Sequence, residues 1–292
     1  MFTLTRGVAI LSVMLLKTQA RHVYMSVFIG VLFAHYVLSI WYARRKLKPV
    51  VRMQVPALAI GLIAGASIVL PIVAVPSLVI YFGFHHALTE GYMLAGRRGG
   101  ANLIDRPATH LLISRMVLAG TIYALVLCRD HAFWRIPYQG WLVVTGLAFV
   151  AFLVALARAR TGLRRAAIAD VIGFEVIGVS ASLITLVTPI IFWDVVFYHL
   201  IVWIVLPLRQ LPGATGKLRF LAQTVALSTV FYCLTPAVNV FPALDSRFWL
   251  RQSELWGYFH ITMSFAASAF NPRWISRWFV PRPVAVATAP AG

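Results

Sequence analysis

The sequence predicts an all-α fold, a polytopic bundle of about nine transmembrane helices. Three observations lead there. First, 61% of the 292 residues are hydrophobic and only 12% charged, with a mean hydropathy of +0.84; soluble domains are about 25% charged. Second, the apolar residues come in runs of roughly 20, the length that crosses bilayer hydrocarbon. Third, the basic residues fall in short clusters between those runs: Arg44, Arg45, Lys46, Lys48; Arg97, Arg98; Arg158, Arg160, Arg164, Arg165. The net charge of +18 therefore reads as loops against anionic lipid head groups. No soluble basic domain remains to hold a nucleic acid.

Residues 1–21 read as a short apolar segment, an interfacial or partly inserted helix; if residues 2–16 also span, only the location of the N-terminus changes. The run Gly7 to Leu16 is followed by Lys17 and Arg21 and lacks a clean small-residue cleavage site. Residues 22–272 form a single bundle, with expected spans at 23–42, 54–74, 76–96, 108–127, 138–157, 168–187, 189–208, 220–241 and 252–270. Tight turns are expected at Val75-Pro76 and Thr188-Pro189, because proline lacks an N–H and disfavours helix at the preceding residue. Residues 273–292 end in PRPVAVATAPAG, a small-residue, proline-rich tail expected to be largely disordered.

Charge sets the orientation. With these spans, eighteen of the 26 Lys and Arg lie on one side, seven on the other, and Arg115 falls within a span. The positive-inside rule then puts the C-terminus in the cytoplasm and the N-terminus outside, in a bacterial inner membrane. Cys128 and Cys233 have no metal-motif or disulfide spacing.

The polar residues inside the spans carry the functional reading. Counting inward from the outer face, His35, His85, His86, His199 and His260 lie roughly 12–18 Å deep, in one slab near the midplane. Hydrocarbon tolerates such groups only where they find partners. Three acids also fall inside spans: Glu90, Glu175 and Asp194. His86 and Glu90 are four apart and share a helix face, whereas His85 and His86 point about 100° apart, so only one of them faces the centre squarely. Asp194 is placed to orient His199 through its second ring N–H. Arg115 is expected to snorkel to the cytoplasmic side or to pair with Glu175. His22, His110 and His131 sit at span ends, where a head-group position is the default.

Imidazoles converging from several helices suit a transition metal. Two other classes use the same residues: a b-type haem with two axial histidines carrying electrons, and a proton-coupled transporter titrating His and Glu along a path. There is no HExxH, no GxSxG and no phosphate-binding glycine loop.

The stretch FGFHHALTEGYML (82–94) resembles the PHGALDH segment of the Brp/Blh family of membrane carotenoid-cleaving dioxygenases. FWDVVFYHLIVWIVLPLRQL (192–211) resembles that family's second histidine-bearing span. Where that span has paired histidines, this one has His199 alone, with Trp203 one turn on. The resemblance implies an Fe(II) ion held by histidines inside the bundle and O2 cleaving a long polyene. By position it would make His35, His86 and His199 ligands, with His260 supplying a further one. The expected function is thus a histidine-ligated non-haem iron oxygenase acting on an apolar, lipid-soluble substrate. His35, His86, His199 and His260 are the expected metal ligands, His85 is the substitute for His86, and Glu90 and Asp194 are orienting groups or a direct carboxylate ligand.

Overall fold

The computed structural model describes residues 2–51, 71–93, 106–128, 136–159, 165–211, 213–238, 240–242 and 244–267. The described residues are helical, with no strand among them. The helices are α1 (Phe2–Gln19), α2 (Arg21–Val51), α3 (Pro71–Met93), α4 (Arg106–Leu127), α5 (Tyr138–Ala159), α6 (Arg165–Ser182, extended by a 3-10 turn at Leu183–Leu186), α7 (Phe192–Gln210), α8 (Gly213–Cys233) and α9 (Ser246–Ala267). Among the described residues, four stretches are long and apolar enough to cross a membrane: Arg21–Tyr42, His110–Leu127, Tyr138–Ala159 and Ile168–Leu186; Phe192–Val205 is a shorter apolar one. The outward side chains of α5 are apolar, with Val143 and Leu147 more than 60% exposed. An exposed stripe of this kind fits lipid better than water.

Most of the expected spans match helices to within a few residues, and three expectations change. Val75-Pro76 is not a turn: α3 starts at Pro71 and carries Pro76 inside it. Proline is well placed in a first turn, and a helix packed in a bundle tolerates the one bond that Pro76 forgoes. Helices α8 and α9 begin seven and six residues earlier than expected. Gly213 starts α8 with φ +68°, and the chain leaves the helix before Pro236. The expected span 54–74 lies almost wholly outside the described residues, as does the tail 273–292.

The third change is at the N-terminus. The segment expected at the interface is an 18-residue helix, α1, packed along α6 and α7. Thr3 donates from its N–H and its hydroxyl to Asp170, while Lys17 at the other end donates to the Pro189 carbonyl at 2.7 Å and pairs with Asp194. Helices α1 and α6 thus run in the same direction. Phe2 lies at the end of the bundle where α6 begins; the expected N-terminus outside holds only if residues 2–16 do not span. Gly178 makes this approach possible: a Cβ there would stand 2.5 Å from the Arg6 guanidinium. Gly30 does the same for α2 and α8, where a Cβ would meet the Ser228 carbonyl at 2.6 Å. Small residues at helix contacts are the usual device where lipid removes any hydrophobic drive to associate.

Candidate metal centre

Helices α2, α3, α7 and α9 enclose the centre of the bundle, and each contributes a histidine that is at least nine-tenths buried. Their depth follows from helix length alone; their convergence depends on the packing of α9 against α2 and α3. The His35 and His260 rings are 4.3 Å apart between centroids, His85 and His199 4.9 Å, His85 and His260 5.5 Å, and His35 and His199 6.1 Å. All four line one cavity of about 20 Å³. A void of that size accepts about one water-sized occupant.

The ring nitrogens are arranged unequally. His35 Nε2 and His260 Nε2 are 2.8 Å apart and share a hydrogen bond, while Ser39 Oγ lies 3.5 Å from His35 Nδ1. The indole of Trp203 meets the His35 ring edge to face at 4.2 Å. His85 Nε2 is buried and makes no hydrogen bond among the described residues. A buried polar atom without a partner costs about 1–3 kcal/mol, so His85 Nε2 is a donor atom in want of an acceptor or an ion.

Among the described residues, no group of three or more His, Cys, Asp or Glu stands at metal-ligand spacing. Metal–nitrogen bonds of about 2.0–2.1 Å place tetrahedral ligand nitrogens roughly 3.4 Å apart, several tenths more than the 2.8 Å seen here. Four imidazoles on one tetrahedral ion would place their ring centroids about 5 Å apart, and four of the ring pairs here lie at 4.3–6.1 Å.

Of the two adjacent histidines, His85 faces the cavity. His86, carried into the ligand set by the family resemblance, turns the other way. It stacks on Phe82 with planes 7° apart and lies beside Tyr123 and Tyr198. His86 is still 5.8 Å from the His199 ring, next to the cavity without lining it.

Both carboxylates expected to orient the histidines are engaged elsewhere. Glu90 accepts a 2.7 Å hydrogen bond from the Tyr198 hydroxyl and faces Arg6 Nη2 at 3.2 Å. Glu175 pairs with Arg6 Nη1 at 3.2 Å and Arg115 Nε at 2.8 Å, so Arg115 does pair with Glu175. Arg115 Nη2 also donates to the Glu90 carbonyl, and the Arg6 guanidinium lies 4.1 Å from the Phe174 ring centroid. Two cations and two anions, all more than nine-tenths buried, form a neutral cluster joining α1, α3, α4 and α6.

Asp194 is three residues into α7's capping turn, where its carboxylate accepts from the Ile191 N–H at 2.9 Å. It also accepts from Tyr24 at 2.6 Å and pairs with Lys17. His199 is not among its partners. His22 and His110 are exposed, and His131 lies outside the described residues. Arg6 and Tyr198, both buried, are members of the polar cluster around Glu90 that sequence reasoning did not single out.

No protein-family model, no curated protein and no solved structure matches the chain.

Proposed function

We propose that this protein is a membrane-embedded oxygenase whose centre is a transition-metal ion, iron by the family resemblance, held by His35, His85, His199 and His260. The observation that carries the reading is the unpartnered His85 Nε2, buried in a four-histidine cavity of about 20 Å³. Neutral imidazoles suit iron or copper, and a bound ion would supply O2 activation beside an apolar substrate. The chain's own residues do the rest. Four helices fix the ring positions, Phe82, Leu32 and Phe192 wall the cavity with apolar surface, and Trp203 holds the His35 ring from behind.

The resemblance extends this to oxidative cleavage of a polyene. In that reaction both oxygen atoms enter the products as two carbonyl groups, so no external reductant is consumed. The haem alternative has little support, since the cavity that the histidines line, about 20 Å³, leaves no room for a macrocycle. With the N-terminus at the end of the basic loops, the positive-inside rule places both termini in the cytoplasm.

Elemental analysis of the detergent-purified protein tests the reading. About one iron per chain is expected, lost in His85→Ala and His199→Ala and retained in His86→Ala. A wild-type protein expressed with ample iron that carries no metal would overturn it.

A further inference from the structure

A second, much larger cavity adjoins the histidines. It is a cleft of about 450 Å³ between α2, α8 and α9, within the range of roughly 300–1,000 Å³ typical of small-molecule sites. Seven of its ten lining residues are aromatic, none is charged, and Gln252 is the one amide. Its floor is buried, with Phe33, Tyr36 and Trp249 each 6% exposed or less, and its rim is open, with Val37 and Trp41 each more than 40% exposed. Tyr36 belongs to both cavities: one side faces the cleft, and the other is 5.2 Å from the His260 ring and 5.9 Å from the His35 ring. Gly257 keeps the partition thin, because a Cβ there would reach the Tyr36 hydroxyl at 3.4 Å.

We infer that this cleft seats a flat, unsaturated lipid carrying one hydroxyl or carbonyl group, with Gln252 binding the oxygen and Tyr36 separating the bound molecule from the histidines. The aromatic walls favour a planar sp2 framework over a saturated chain, since stacking adds to area burial. Gln252 is half-buried in the wall of the cleft. Its amide both donates and accepts and serves either kind of oxygen. Among the described residues no charged side chain lines the cleft, so its walls hold no counter-ion for a phosphate or carboxylate. The use made of the bound molecule rests on the oxygenase reading; its binding does not.

The test uses chelator-treated protein in nanodiscs of saturated phosphatidylcholine, with all-trans-retinol as probe and energy transfer from tryptophan as readout. Saturable transfer at about one retinol per chain is expected, with stearyl alcohol competing poorly. Val37→Phe fills the open rim and should weaken binding at least about tenfold, while Val143→Phe on the lipid side of α5 should not. Gln252→Leu should weaken retinol by about tenfold, the value of one hydrogen bond, and leave anhydroretinol, which lacks the hydroxyl, unchanged. Non-saturable transfer, equal competition by stearyl alcohol, or identical behaviour of the two phenylalanine variants would overturn the inference. Retinol binding by a protein that never holds iron would overturn the oxygenase reading alone, and iron without retinol binding would overturn the cleft alone.

Discussion

His35 on α2 and His260 on α9, 225 positions apart in sequence, meet through their Nε2 atoms at 2.8 Å. One of the two nitrogens must carry the proton and the other must accept it. The pair is therefore held in an arrangement that an ion would replace, the donor's proton moving to the other nitrogen of its own ring.

Removing one member leaves the other unpaired. His260→Ala should destabilise the metal-free protein by about 1–3 kcal/mol, read as a lower midpoint in thermal unfolding in detergent. In the wild type, an ion present at a hundredfold excess over its Kd adds about 2.7 kcal/mol. A chelator should therefore lower the wild-type midpoint and leave that of His260→Ala where it is.

Arg6 is the cation that the buried cluster cannot spare. Arg6→Met leaves Glu90 and Glu175 to share Arg115, and breaking a buried pair from one side costs about 3–5 kcal/mol. Adding Glu90→Gln restores the balance of charge and should recover much of the loss. A double-mutant cycle on unfolding midpoints measures the coupling, and additive losses would show that the two residues do not depend on each other.

Gly178 tests the same contact sterically. Gly178→Ala sets a methyl group 2.5–2.6 Å from the Arg6 guanidinium atoms, which three partners hold in place. A cost of about 1–3 kcal/mol is expected for such overpacking, together with faster proteolysis of α1. In an Arg6→Ala background the same substitution should cost almost nothing.

The direction of α1 has a labelling consequence. In a protein with Cys128 and Cys233 changed to serine, a cysteine at Val187, 87% exposed, should react with an impermeant thiol reagent added outside intact cells. A cysteine at Leu4, 69% exposed, should react only after permeabilisation. Labelling of both from outside would contradict the shared direction of α1 and α6.

The histidine slab was legible in the sequence because apolar run lengths fix depth, and depth needs only 1.5 Å per residue. Rotation about the helix axis was not. Whether His85 or His86 faces inward depends on α7 and α9 packing against α3, and nothing local to residues 82–94 encodes it. The acids misled for a related reason. Asp194 shares a helix with His199, but its position after Pro189 at a helix start makes it a capping residue first. Arg6 stayed hidden because a lone arginine near a chain start resembles any interfacial cation, and its partners Glu90 and Glu175 lie on helices far along the chain. The ends of α8 and α9 shifted because hydropathy alone outweighed Pro236.

The neutral cluster also sets an order of assembly. Helix α1 precedes α3 and α6 in the chain, so Arg6 has no counter-charge in the bilayer until those helices have been made. A lone guanidinium in hydrocarbon is costly, so α1 waits at the surface while the later helices insert and takes its place after them. A helix made before its partners is thus built in after them, and a nascent chain stopped before residue 175 holds an Arg6 that lacks one of its two carboxylates.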